Sequence, residues 1–330
     1  MSNTFTNITP QVTVKAMPKL LARAQAAEVI QKFGQVYNIG EKSSDTASFR
    51  RYNALPALST PAVEGVTPSS QAVVPTTITA TLDQWISHVQ YTDKARDMID
   101  SDFVGEFGQI VIDQQMETRE VQAWNGIKAG TSVIYGSGTT RAGVNTALTL
   151  GKVQAASRIL RAQRAKFITS VLASSPNYAT FPVEPAFVAL CSSDLDRDIR
   201  ALAGFQPVAA YGSQKTVSEF ELGKVENIRF ITHPVFSAFA NAGAAYNASF
   251  VCTGNGAIDV YPICIFGQDA FGHTALRGIN AAKLMITNPG TPSDSDPAGQ
   301  RGHVTAKSYY KFVRLNELWM TRIEVAATAL

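Results

Sequence analysis

Residues 46–91 constrain the architecture of this chain more than any other stretch. The run Ser48-Phe49-Arg50-Arg51-Tyr52-Asn53 reads as a strand over 46–55. A second strand reads over 76–91, opening with the β-branched run Thr76-Thr77-Ile78-Thr79-Ala80-Thr81-Leu82. Between them lie residues 56–75, punctuated by Pro56, Pro61, Pro68 and Pro75 and rich in Ser and Thr. A structureless connection of that length is out of place inside a compact monomer. It is accommodated if the two strands form a projecting arm whose tip lies on a neighbouring subunit. Arg50 and Arg51 then face opposite sides of the arm, so at least one is free to reach across an interface. There the planar arginine fork suits carboxylates. Phe49, Ile78 and Leu82 are the apolar candidates for the same contact.

The rest of the chain is organised around this arm. Residues 1–17 read as a polar, extended N-terminal arm. Pro18 opens a short amphipathic helix over 18–33 that Gly34 stops. The strongest helical signal covers 102–128. It is carried by Phe103, Phe107, Ile110, Val111, Val121, Trp124 and Ile127, with Gly130 just past the end. A second amphipathic helix is expected over 150–166. Beyond it strands alternate with helices: strands at 187–190, 228–231 and within 257–266, and a helix capped by Ser192 or Ser193 and running through Leu202. A loop at 289–302 precedes two long extended segments at 307–313 and 318–326. The fold class read from this order is α+β.

Chemistry is absent where motifs would announce it. Gly151-Lys152 and Gly223-Lys224 are each followed by Val, so neither offers the hydroxyl that a phosphate loop presents to magnesium. The four histidines, His88, His233, His273 and His303, are far apart in sequence and lack ligand spacing. Asp194, Asp196 and Asp198 imitate half of a calcium loop, but Ile199 stands where Gly must turn; they read better as the acidic first turn of a helix. Cys191, Cys252 and Cys264 form no metal or disulfide spacing and read as buried small hydrophobes. No catalytic residue, cofactor or metal is expected. The 330 residues carry a net charge of +3, too little for a dedicated nucleic-acid binder. Charged residues are 17% of the chain, sparse for a soluble protein and in keeping with a surface covered by copies of itself. No run suits a membrane span or a signal peptide, which points to synthesis in the cytoplasm. The one basic run, Arg158, Arg161 and Arg164 with Lys166, would line a helix face that meets DNA, an acidic neighbour or solvent.

Several stretches together resemble the major capsid protein family named after coliphage N-four, a branch of the tailed-phage lineage with the Hong Kong 97 type fold. They are Leu20-Leu21-Ala22-Arg23 through Phe33-Gly34-Gln35, Phe49-Arg50-Arg51-Tyr52 with Leu55, and Ile78 through Gln84. Val89-Gln90-Tyr91-Thr92-Asp93, Ile265 through Gly272, Ser295 through Arg301, and Lys307-Ser308-Tyr309-Tyr310 with Leu315-Asn316-Glu317 complete the set. The resemblance covers about residues 18–326; the tip at 56–75 and the Ala-rich 237–249 stay outside it. It implies an N-terminal arm with a short helix (1–45), an extended β-hairpin loop (46–91), and a long spine helix with part of a peripheral domain (92–149). An axial domain (150–285) follows, then a loop and strands returning to the peripheral domain (286–330). It also implies pentamers and hexamers in an icosahedral shell around double-stranded DNA. Decoration, scaffolding and portal proteins are further partners, and there is no membrane. The alternatives are another virion structural protein, such as a decoration or tail-tube subunit, and an α/β hydrolase-like enzyme.

Overall fold

The computed structural model describes residues 28–329, except 62, 68, 99–102, 173–179, 212–215, 255, 277–281, 291 and 293–295. The expected arm at 1–17 and most of the expected helix at 18–33 lie outside the described residues. What is described of that helix is one 3-10 turn, Ile30–Lys32. Its start is held from outside: the Glu120 carboxylate accepts the N–H groups of Val29 and Ile30 at 3.1 and 2.9 Å. Gly34 follows because His273 and Phe271 pack where a β-carbon would stand.

In chain order come β1 (Gln35–Ile39), β2 (Thr46–Tyr52), β3 (Pro75–Thr81), β4 (Asp83–Thr92), α1 (Asp93–Met98), α2 (Phe103–Lys128), β5 (Val133–Tyr135) and α3 (Leu150–Ala162). Then come β6 (Ile168–Leu172), β7 (Thr180–Cys191), α4 (Asp196–Arg200), β8 (Gln206–Pro207), β9 (Glu221–Val225), β10 (Ile228–Thr232) and β11 (Val260–Phe266). The chain closes with β12 (Phe271–Leu276), β13 (Lys283–Thr287), β14 (Arg301–Arg314) and β15 (Met320–Ala326). These make three sheets. One has five strands in the order β1-β12-β14-β13, with β4 also on β14. One has eight in the order β5-β15-β11-β7-β10-β9-β8, with β6 on β7. The third is the hairpin β2-β3.

The expected second strand of the arm is in fact two. The chain breaks at Leu82, whose N–H is taken by the Asp45 carbonyl at 2.9 Å. On one side β3 pairs with β2; on the other β4 pairs with β14 over its whole length. Sheet membership also crosses the expected boundary at 285/286. Strands β12 and β13 join β14 and β4, whereas β15 pairs with β11 in the eight-stranded sheet. A fully apolar strand such as β11, buried at every position, is at home inside a sheet covered on both faces.

The long helix α2 joins the two sheets. Its first half packs Val111 against Tyr91, Val304 and Ala306 of the five-stranded sheet. Gln115 fixes the register there, donating to Ser87 Oγ at 2.6 Å and accepting from Ser308 Oγ at 2.7 Å. Its second half puts Ala123, Trp124 and Ile127 into a core shared with Val29, Ile30, Phe266 and Phe271. Trp124 stacks on Phe236 at 4.7 Å and donates its indole N–H to the Ser237 carbonyl. Ile110, counted on the apolar stripe of the sequence, is 44% exposed. The main core lies under α3, where Val153, Ala156 and Leu160 keep i, i+3, i+7 spacing against Phe187, Ile263, Ile265 and Ile323.

The helix α3 ends at Ala162, four residues short of expectation, because Arg164 adopts a left-handed φ of 53°. Ser192 does cap the turn that leads into α4, accepting the N–H of Asp194. That helix stops at Arg200. Asp198 does not face solvent: it accepts the Thr328 N–H and hydroxyl and pins the end of the chain. Cys191 and Cys264 are buried as expected, but Cys252 is only partly so. No helix among the described residues is long and apolar enough to cross a membrane.

Candidate assembly surface

The arm is a regular antiparallel ladder. Phe49 faces Ile78, Arg50 faces Thr77 and Arg51 faces Thr76. Phe49 and Ile78 are half-buried, and both arginines are exposed. Phe49 is the root of the arm: its ring meets Tyr37 edge-on at 6.0 Å and lies against Gly272. The arm and the body enclose a cleft of about 690 Å³, lined by Phe49, Arg50, Arg51 and Ile78 from the arm and by Leu315 and Trp319 from the body. Four of the five arm residues singled out from the sequence thus converge on one cavity. Leu82 does not line it but sits half-buried at the junction between arm and sheet.

Beyond the ladder, the tip exposes side chains that a monomer would bury. Leu58 is 81% exposed, Val63 69%, Val66 63% and Val74 64%. An exposed apolar set on a projecting element marks a contact surface. The sequence pointed to the tip through its prolines, but single Val and Leu residues scattered among Ser and Pro carry no periodic signal.

The basic run does not form one row. Arg158 and Arg161 lie exposed on α3, a turn apart. Arg164 lies beyond the helix end, where its left-handed backbone takes it off that face. The Arg161 guanidinium stands 5.9 Å from the Phe167 ring centroid. Lys166 is the member that reaches the arm cleft.

One pair of histidines is brought together against expectation. The β4–β14 ladder sets His303 opposite Gln90, two residues from His88 on the same face. The rings meet with His88 Nε2 2.8 Å from His303 Nδ1. No group of three or more His, Cys, Asp or Glu suited to a metal occurs among the described residues. His273 is fully buried, and burial pulls its pKa down to about 3. Burial also pushes the Cys264 thiol up to about 12 and Cys191 well above its ordinary value.

The ionic groups missed from the sequence are structural. Glu324 is fully buried on β15 and accepts two bonds from Arg141 at 2.8 Å each, while Arg322 Nε lies 2.7 Å away. Arg141 also lies over the Phe239 ring at 3.6 Å. This cluster ties the loop after β5 and the segment around Phe239 to the eight-stranded sheet.

A family model described as phage capsid protein matches residues 74–282. The fold is similar to the capsid of Ralstonia phage GP4, at 14% identity and a TM-score of 0.73, covering 100% of this chain and 99% of that one. It is also similar to the head structure of Helicobacter pylori bacteriophage KHP40, at 12% identity, TM-score 0.67 and coverage of 98% and 97%. The capsid structure of cyanophage P-SCSP1u is similar at 13% identity, TM-score 0.63 and coverage of 96% and 94%. No curated protein matches the sequence.

Proposed function

This chain belongs to the phage capsid protein family, and from that premise we propose a subunit that completes its shell by laying the arm β2-β3 across a neighbouring copy. It is a major capsid protein, a structural protein of the virion that self-associates into capsomers and forms the shell. Pentamers and hexamers assembled in the host cytoplasm around double-stranded DNA are the form in which it works.

The observation that carries the role of the arm is its exposed apolar tip, from Leu58 to Val74, at the end of a ladder that projects from the body. Many weak contacts of this kind add up around a closed shell. Phe49, Ile78, Leu82, Arg50 and Arg51 serve as the contact residues at the arm root. We assign the five-stranded sheet with α2 to the peripheral domain and the eight-stranded sheet with α3 to the axial domain. Residues 271–285 thereby leave the axial part read from sequence and 320–326 enter it. DNA contacts are to phosphates and carry no sequence information. With a net charge of +3 per chain, mobile cations do most of the neutralising. Decoration, scaffolding and portal proteins are the further partners this role calls for.

Deleting 58–72 tests the reading. The truncated subunit is expected to fold with an unchanged thermal transition, yet to give no regular shells by electron microscopy. Normal shells from the truncated chain would sink the arm's role.

A further inference from the structure

Two of the four histidines meet on the face of the five-stranded sheet turned away from α2. Tyr91, Val304 and Ala306 point to the helix, so their neighbours in the strands point outward. In one row of that outward face, Thr287 of β13 faces His303 of β14, which faces Gln90 of β4. In the next row Met285 faces Thr305, which faces His88. The rings of His88 and His303 close the diagonal between the rows. Their centroids are 4.9 Å apart, and Nε2 of His88 lies 2.8 Å from Nδ1 of His303. His88 is exposed and His303 half-buried.

A histidine's tautomer is set by what its second nitrogen bonds to. Here neither ring makes another hydrogen bond or an ion pair among the described residues. Either ring is thus able to carry its proton on the far nitrogen and turn a lone pair toward the contact. Two imidazole nitrogens that share one ion at 2.0–2.1 Å lie roughly 2.9–3.4 Å apart. The pair stands within a few tenths of an ångström of that spacing on two strands held in register by the β4–β14 ladder.

The surroundings select the ion. The outward positions of β4, β13 and β14 carry no Asp or Glu, so a hard cation such as calcium or magnesium lacks the oxygen ligands it needs. Imidazole instead suits zinc, copper and nickel. The cations nearby are directed elsewhere: Arg301 is engaged by Asp296, and Lys307 leans on the Tyr309 ring, on the side away from the histidines. We propose that His88 and His303 form a two-imidazole site for a divalent transition ion of the zinc, copper and nickel class, with water in the remaining positions. On binding, two nitrogen–metal bonds replace two water–metal bonds. The ring that donates at the contact moves its proton to the far nitrogen, so both rings stay neutral. The ion clips β4, the strand that leaves the arm at Leu82, to β14.

Calorimetric titration of the full-length, unassembled subunit with Zn²⁺ and with Cu²⁺ tests the site. One ion per chain is expected, held more tightly for Cu²⁺ than for Zn²⁺, and excess Mg²⁺ should not compete. His88→Ala and His303→Ala should each weaken Zn²⁺ binding about tenfold or more, because the remaining ring no longer binds as part of a chelate. Zn²⁺ should also raise the thermal transition of the parent and leave that of the double variant unmoved. No Zn²⁺ uptake by the parent overturns the proposal. So does parent-like affinity in the double variant, which would put the ion on another group such as the partly buried Cys252. A readout on the unaltered chain guards against a variant that fails to fold: the electron paramagnetic resonance spectrum of the Cu²⁺-loaded subunit should show coupling to two imidazole nitrogens. Coupling to one or none overturns the site.

Discussion

Replacing Glu120 with Gln asks how the chain entering β1 is fastened to the long helix. One carboxylate oxygen accepts two backbone N–H groups from Val29 and Ile30, and the side chain is fully buried. Burial pushes its pKa from 4.5 up to about 7, against the pull of those two N–H groups. The folded state therefore keeps the proton up to about pH 7, while the unfolded chain releases it near 4.5. The stability this group contributes is complete below pH 4.5 and is lost as pH rises through 7. At about 1.4 kcal/mol per pH unit, that span corresponds to ~3 kcal/mol. Gln keeps the accepting oxygen and does not titrate.

Urea denaturation of the unassembled subunit between pH 5 and 8 is the assay. Glu120→Gln is expected to match the parent near pH 5 and to exceed it by ~3 kcal/mol at pH 8, since the cost of holding a buried charge has been removed. Buried His273 lowers stability in both chains as pH falls through about 6.5, because only the unfolded state takes up its proton. Subtracting the two curves cancels that contribution. A difference between parent and variant that does not change with pH would refute the reasoning, because the carboxyl group would then titrate alike in both states.

Glu324→Ala should lower unfolding stability by about 3–5 kcal/mol, since Arg322 and Arg141 lose their carboxylate inside the protein; a loss below about 1 kcal/mol by the same assay would show that the cluster is hydrated. Trp124→Ala should cost about 3–5 kcal/mol through the cavity left against Phe236. Arg161→Ala should leave folding within about 0.5 kcal/mol of the parent, as the side chain is exposed. Its effect on particles then assigns the face: misshapen empty shells mark a contact between subunits, and intact shells that retain less DNA mark a contact with phosphates.

What could be read from the sequence is what local pattern controls. The long helix was expected at 102–128 and occupies 103–128, because its apolar spacing and the glycine beyond it act within a few turns. The strands at 228–232 and 260–266 follow from short β-rich runs for the same reason. Pairing is another matter. Nothing near Leu82 tells that the next ten residues leave the hairpin for β14, more than two hundred positions on. Nothing near Met320 tells that β15 will return to β11. The meeting of His88 with His303 follows from that same pairing, and so is invisible in either neighbourhood.

The residues with most to say about assembly are those whose local and tertiary environments disagree. Glu120 and Glu324 are carboxyl groups inside a core, and each is explained once its partners are found within the chain. Leu58, Val63 and Val66 on the tip, and Lys283 against Lys307 on the sheet, find no such partner within the described chain. A sequence normally agrees with its fold at every level, and lapses concentrate where function asks for them. In a shell protein, function is contact with another copy, so a mismatch in one subunit is expected to be matched on the next. The apolar tip and the facing lysines are mismatches in that sense, and each is left uncompensated while the subunit stands alone.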